Sequence, residues 1–327
     1  MNRRKTLFAF TGGAALTLVC PVFAQVKKPV RIAVMSMGSA QSSDARVEIF
    51  RKEMRAFGYV EGRDVVYDYR WADGHPNRIP QLIAELARGE PHIILTSYAL
   101  VTRAAMDAAP AAVVLMVYGS DPVGNKLVAS LAHPGGRVTG LSNLGEGTVS
   151  KMLELLHTMA PQAQRVALLL NPKNMTARSF RTEAETAAQT LGLSLVGIEA
   201  AALEDFGPAF DRITHERVKG IVVSLDAVYL VMRPRLIELV ARAKIAAVYG
   251  QSEFVEDGGL MSYGASVSDA YRRSATFADK IIKGANPGDL PVEQPTRFEL
   301  VINLTTAKAL GLTIPPSLLL RADQVVQ

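Results

Sequence analysis

The chain has 327 residues, 49% of them apolar, with a formal net charge of +5 and one cysteine. This length and aliphatic content are sufficient for one large or two medium hydrophobic cores. After residue 24 the sequence has no lysine and arginine cluster of the kind that follows a phosphate backbone, so we expect no nucleic-acid partner.

The first 24 residues have the pattern of a secretory signal peptide. Arg3, Arg4 and Lys5 precede an apolar stretch of roughly a dozen residues and the small-residue site at 22–24. The stretch is too short for a membrane span, and Cys20 lies in a poor context for lipid attachment. We expect cleavage after this site and a periplasmic product, with the Sec and twin-arginine routes of export both open.

Loss of this segment would change the chemistry of the chain. The net charge would fall from +5 to +2, and the only cysteine would leave, so no disulfide or thiolate metal site could form. The five histidines lack metal-ligand spacing; they are His75, His92, His133, His157 and His215. We therefore expect no metal and no cofactor.

From residue 29 onward, short apolar strand patterns alternate with amphipathic helix patterns. The strands RIAVMS, VVYDYRW, HIILTS and VVLMVY are followed, about 130 residues later, by RVALLLN, LSLVGIE, GIVVSLD and IAAVYG. Strands that alternate with helices predict parallel sheets covered on both faces. The predicted fold class is α/β, with two doubly wound parallel-sheet lobes joined by a multi-crossing hinge.

The elements after the second series decide the lobe boundaries. They are a strand GLMSYG, a helix from Ser268 to Lys283, a link GANPGDLP and a strand-helix passage FELVINLTTAKALGL. Because each needs a sheet edge, we assign 29–143 and about 259–284 to the first lobe. Residues 144–256 and about 295–327 form the second. The motif GEGTVS lacks the last glycine of a dinucleotide loop and is interpreted as a crossing between the lobes.

Ligands of doubly wound sheets bind beyond the carboxyl ends of the strands, where helix N-termini present free N–H groups. Two facing lobes therefore make a cleft. The candidates for ligand contact follow the strands, and they are Ser39, Ser97, Tyr98, Thr102, Ser120, Asp121, Asn143, Asn174, Asp226, Tyr249 and Tyr263. This set can hydrogen-bond a small polar ligand and stack on its apolar part. It includes no acid-base or metal constellation, so we expect no enzyme.

The two carboxylates among these candidates have two interpretations each. Asp121 precedes a proline, and Asp226 precedes a predicted helix. An aspartate in either place can cap backbone N–H groups or meet a ligand ammonium. Both interpretations stay open from the sequence.

Four blocks of the sequence resemble the ABC-transporter substrate-binding proteins related to tryptophan and tyrosine uptake components. The blocks are SDPVGNKLVASLAHPGGRVTGLS, RVALLLNP, EFVEDGGLMSYG and LPVEQPTRFELVINLTTAKALGLTIPPSLLLRADQV. The resemblance spans essentially the whole chain after the signal segment. It implies a type I periplasmic-binding-protein fold with three crossings, and it implies that Ser97, Ser120, Asp121, Asn143 and Asp226 approach the cleft.

The predicted function is that of a solute receptor of an ABC importer. It would bind a small polar or amino-acid-like ligand, aromatic in some relatives, by hinge closure and deliver it to a membrane permease. We expect a monomer. The alternative is a sensor input that presents the same ligand-bound lobes to a chemoreceptor or a sensor kinase.

Overall fold

The computed structural model describes residues 28–119, 121–143, 147–174 and 176–327. The predicted signal peptide and the candidate Ser120 lie outside the described residues.

The first lobe is built on a five-stranded parallel sheet. Its elements are β1 (Val30–Ser36), α1 (Ala40–Ala56), β2 (Val65–Trp71), α2 (Ile79–Ala87), β3 (Ile93–Ser97), α3 (Ala99–Ala108), β4 (Val113–Gly119) and β5 (Val138–Ser142). The strand order is β2-β1-β3-β4-β5, and every pairing is parallel. Helices cover both faces, which is why β3 and β4 are almost entirely buried and β4 is almost entirely apolar.

The second lobe is built on a seven-stranded sheet of order β12-β11-β10-β9-β8-β6-β7. Its elements are α4 (Thr148–Met159), β6 (Arg165–Leu170), α5 (Ala177–Leu191), β7 (Ser194–Glu199), α6 (Phe206–His215), β8 (Gly220–Val223), α7 (Ala227–Val231), α8 (Arg233–Ala243), β9 (Ala246–Tyr249), α9 (Glu253–Glu256), β10 (Met261–Ala265), β11 (Phe298–Asn303), α11 (Leu304–Ala309), α12 (Pro316–Arg321) and β12 (Gln324–Val326). One pairing, between β10 and β11, is antiparallel. The helix numbered α10 (Val267–Ile282) belongs to the other lobe.

The helices bury the faces that the sequence periodicity indicates. In α2 the buried residues are Ile79, Leu82, Ile83 and Leu86, which recur at helical spacing. The side chains of these residues pack on the first sheet as part of its core. The predicted α/β architecture with two parallel-sheet lobes is confirmed.

The chain crosses between the lobes three times. It crosses between β5 and α4, returns between β10 and α10, and crosses again between Glu293 and β11. Helix α10 packs on α1 and β4 of the first lobe.

One expected boundary needs correction. The segment 259–284 was assigned to the first lobe, but its strand β10 pairs with β9 and β11 of the second sheet. Only the helix α10 in this segment packs on the first lobe. The crossing therefore falls at Ser266, whose side chain caps α10 by accepting from the N–H of Asp269.

Within the described ranges, no helix is long and apolar enough to cross a membrane.

Candidate functional site

A cavity of about 320 Å³ lies between the two lobes, beyond the carboxyl ends of β1, β3 and β9. The first lobe contributes Ser36, Arg46, Ser97, Tyr98, Tyr118 and Tyr271 to its walls. The second lobe contributes Leu230, Arg233, Gln251, Glu253, Glu256 and Asp257. The position agrees with the rule that doubly wound sheets bind ligands at the ends of their strands.

Tyr98 stands at the centre of the cleft and joins the lobes. Its hydroxyl oxygen accepts a hydrogen bond of 2.8 Å from Nε2 of Gln251 in the second lobe. The backbone of Tyr98 has φ 69° and ψ 150°, a region that residues other than glycine rarely adopt. Such a conformation costs about 1–3 kcal/mol and persists where surrounding contacts enforce it. Here the residue between β3 and α3 is held so that its ring enters the cleft.

Buried hydrogen bonds within the first lobe hold the backbone of Tyr98 in this conformation. Thr102 donates its hydroxyl to the carbonyl of Tyr98 at 3.0 Å, and its oxygen lies 2.8 Å from the hydroxyl of Thr96. The N–H of Tyr98 donates to the carbonyl of Tyr118. Thr102 thus positions the cleft residue from within the first lobe.

A second bond between the lobes is an ion pair. Nη1 of Arg46, on α1, lies 2.9 Å from Oε1 of Glu253, on α9, and their side chains are 25% and 8% exposed. Burial lowers the pKa of the Arg46 guanidinium, but the nearby Glu253 carboxylate leads the effects that raise it, and the result lies above the usual value. Arg46 therefore remains charged in the closed cleft.

Three tyrosines give the cavity an aromatic wall. The Tyr98 and Tyr118 rings meet edge to face with centroids 6.3 Å apart, and Tyr271 hydrogen-bonds to Ser97. Burial is the main cause that raises the pKa of all three phenols, and for Tyr98 and Tyr118 the Glu253 carboxylate adds to it. All three therefore stay neutral at physiological pH and present apolar ring surface with a polar tip.

A second compartment of the cleft, about 470 Å³, lies on the other side of Tyr98. Asn174 and Asp226 line it, together with Asn171 and Lys173. The Asp226 carboxylate accepts from the N–H of Val228 at 2.8 Å, and from Nδ2 of Asn174 and Asn171 at 2.7 and 3.2 Å. Asp226 is the N-cap of α7 and is held by amide donors on both oxygens.

The other predicted site residues occupy different places. Asp121 accepts from the N–H of Gly124 at 2.9 Å and so caps a turn, and it does not line either compartment. Tyr249 is fully buried in the second lobe, stacked on Phe254 at 4.5 Å. Tyr263 stacks on Phe298 away from the cavity.

Two further candidates line neither compartment. Asn143 is buried after β5, where its N–H donates to the carbonyl of Gly119 at 2.9 Å. Ser39 follows Gly38, which lines the cavity, but does not line it itself. The structure thus brings together Ser97 and Tyr98 in the first compartment and Asn174 and Asp226 in the second.

The residues that sequence reasoning missed are those that reach the cavity from helices. Arg46 lies on α1, Tyr271 on α10 and Glu253 on α9, so none follows a strand directly. The only available signal for Glu253 was its place in the block EFVEDGGLMSYG.

Two α/β lobes, three crossings and a ligand-sized cavity between strand ends define a type I periplasmic-binding-protein fold, the class of two-lobed solute receptors. Comparison with known sequences agrees, because a sequence model of the family described as "ABC transporter substrate binding protein" matches residues 31–326. The chain belongs to this family. Its members are receptors for a transported solute rather than enzymes, and they act outside the cytoplasm.

Three relatives illustrate the similarity. A "Tyrosine-binding protein" of Clostridioides difficile (strain R20291) is 22% identical over 286 residues, covering 88% of this chain and 82% of that protein. The crystal structure of a conserved domain protein from Vibrio cholerae is 28% identical with a TM-score of 0.81, covering 91% of this chain and 100% of the other. An ABC domain from Streptococcus pneumoniae in complex with L-Trp is 23% identical with a TM-score of 0.82 and the same coverage.

Proposed function

We propose that this substrate-binding protein is the periplasmic receptor of an ABC importer for a small amino-acid-like ligand with an aromatic or apolar side chain. The observation that carries the proposal is the interlobe cavity, whose walls combine a tyrosine cluster with an ion pair. A volume of about 320 Å³ falls at the lower end of small-molecule sites, which span roughly 300–1,000 Å³.

The chemistry of the walls supports this ligand class. The rings of Tyr98, Tyr118 and Tyr271 offer apolar surface to a ligand side chain, while Ser36 and Ser97 offer hydroxyls. Arg46 and Glu253 put a positive and a negative charge side by side in the wall, an arrangement that complements the carboxylate and the ammonium of a zwitterionic ligand. Relatives named for tyrosine binding and solved with L-Trp support the same class.

The proposed mechanism is closure of the lobes on the ligand. A ligand that bonds to both walls adds to the Tyr98–Gln251 and Arg46–Glu253 contacts, and so shifts the population toward the closed form. The closed form would then be the state that a membrane permease recognises and from which the ligand passes to the transporter.

The test is to release ligand from natively purified protein by denaturation and identify it by mass spectrometry. We expect an amino acid or a close relative, and we expect the same compound to raise the melting temperature of ligand-free protein. Recovery of a sugar or a ligand without an amine, with no melting shift from any amino acid, would contradict the proposal.

A further inference from the structure

Within the described part of the chain, Glu253 is the carboxylate that forms an ion pair between the lobes. It begins α9, after a three-residue link from β9, and its Oε1 lies 2.9 Å from Nη1 of Arg46 in the opposite lobe. Its side chain is only 8% exposed and lies in the wall of the cavity. Removing either partner of such a buried pair leaves an uncompensated charge, so the geometry of the pair is costly to change.

The other oxygen of this carboxylate is left without a donor. Oε2 of Glu253 is buried and has no hydrogen-bond partner among the described residues. The phenols near it have other partners: the Tyr98 hydroxyl accepts from Gln251, and the Tyr118 hydroxyl donates to the carbonyl of Ala265 at 3.4 Å. A buried carboxylate oxygen without a donor lowers the stability of the protein, and a hydrogen bond donated by a ligand would recover that free energy.

The charged residues around Glu253 indicate what kind of ligand group would donate a hydrogen bond to its carboxylate. Three carboxylates, Glu253, Glu256 and Asp257, line the cavity against two guanidinium groups, Arg46 and Arg233. Arg233 is paired with Asp257 at 2.7 Å and Arg46 with Glu253, while Glu256 accepts from the hydroxyl of Ser252. The lining therefore carries one negative charge in excess, which favours a cationic donor over a neutral one and disfavours an acidic ligand.

We propose that Glu253 receives the protonated amine of the ligand, so that the receptor selects primary amines with an aromatic or apolar body against acids of the same shape. This rests on the proposed function and narrows its ligand class. Arg46 holds the carboxylate in place, and the three tyrosines exclude water from the ammonium, which strengthens the contact. Glu253 is thus the residue that determines specificity for the amine.

The experiment measures binding of three matched ligand sets by calorimetry. Each set has an amino acid, its amine without the carboxylate and its acid without the amine: tryptophan, tryptamine and indolepropionate; tyrosine, tyramine and hydroxyphenylpropionate; leucine, isoamylamine and isocaproate. We expect at least one set in which the amino acid and the amine bind, and the acid binds roughly 30-fold more weakly or worse.

The variant Glu253→Gln keeps the shape of the side chain and removes its charge. It should weaken amino acid and amine by roughly 30-fold and bind the acid no more weakly than the parent does, so the preference disappears. Glu253→Asp retains the charge and should retain part of the preference. The matched control is Glu199→Gln, which removes the carboxylate of an exposed Arg181 pair in the same lobe and should change none of the affinities.

The outcomes are distinguishable. Loss of folding in Glu253→Gln would lower binding of all ligands alike and would show in its thermal unfolding, in which case the preference of Glu253→Asp decides. Equal binding of acid and amino acid by the unaltered protein, or an unchanged preference in a folded Glu253 variant, overturns the assignment while the receptor function stands. Binding of no member of any set overturns both this assignment and the proposed ligand class.

Discussion

At the scale of single residues, the two strand-end aspartates both accept hydrogen bonds from nearby backbone N–H groups. Both were open from the sequence between a cap and a ligand contact. Asp226 caps α7 and also holds the amides of Asn171 and Asn174. Asp121, at φ 38°, accepts from Gly124 in its own turn. Both carboxylates therefore have a structural role, and a ligand contact by Asp226, which lines the second compartment, stays a prediction. Among the described residues, the buried carboxylate oxygen without a hydrogen-bond partner belongs to Glu253.

The substitution Asp226→Asn should destabilise the fold. An asparagine keeps one acceptor for the cap, but its NH₂ group would face the NH₂ groups of Asn174 and Asn171, which are also donors. The expected loss is about 1–3 kcal/mol in the free energy of unfolding, measured by denaturant titration. The control Asp211→Asn changes an exposed carboxylate on α6 and should stay close to the parent. Equal stability of the two variants would contradict the assigned bonds.

Tyr98→Phe tests the hydroxyl that joins the lobes. The variant keeps the ring and removes the acceptor for Gln251. Affinity for the native ligand should fall by about 0.5–1.5 kcal/mol, or roughly two- to tenfold in Kd. Tyr263→Phe, whose ring packs on Phe298 away from the cavity, should bind as the parent does. Identical calorimetric affinities for both variants would show that the Tyr98 hydroxyl has no part in closure.

At the scale of elements, residues at the ends of strands line the cleft, and helices carry its charged side chains. The alternation of apolar runs and amphipathic patterns is sufficient to predict both sheets, because buried parallel strands must be apolar on both faces. Strand β5, with the sequence VTGLS, was missed because it is short and contains a glycine. Strand β12 has three residues and carries too little pattern to be recognised.

The same reasoning explains which site residues could be predicted. Ser97 and Tyr98 follow β3 directly, so the rule for strand ends finds them. Arg46 reaches the cavity from the second turn of a helix, and Glu253 meets it from the other lobe. A contact between residues 46 and 253 depends on how the two lobes are apposed, which no local pattern encodes.

The close approach of two strands near the cleft gives a test of the second sheet. Gly264 in β10 lies so near the carbonyl of Gly250, at the end of β9, that a Cβ on Gly264 would be 2.0 Å from that oxygen. Gly264→Ala should therefore destabilise the protein by about 1–3 kcal/mol through forced separation of the strands. Gly207→Ala, in α6 with nothing near its Cβ, should leave stability unchanged or slightly raised. Chemical denaturation of both variants measures the difference, and equal effects would contradict the register.

At the scale of the whole molecule, the three crossings connect two lobes that each have their own sheet. Among the described residues, the cavity walls are joined across the lobes by the Tyr98–Gln251 and Tyr118–Ala265 hydrogen bonds and by the Arg46–Glu253 ion pair. Because short crossings can absorb a change in backbone angle while the sheets stay rigid, we expect the lobes to move as units. The ligand then acts by adding contacts that exist only when the lobes are together.

The most direct test of this account is the distance between the lobes with and without ligand. Val123 and Leu203 are exposed, one in each lobe, and the sequence has no cysteine besides Cys20. Spin labels on Val123→Cys and Leu203→Cys, in a chain without Cys20, report the separation by pulsed electron paramagnetic resonance. We predict that the ligand identified by mass spectrometry shortens and narrows the distance distribution, and that Glu253→Gln requires roughly 30-fold more ligand for the same change. An unchanged distribution at saturating ligand would contradict binding by closure of the two lobes.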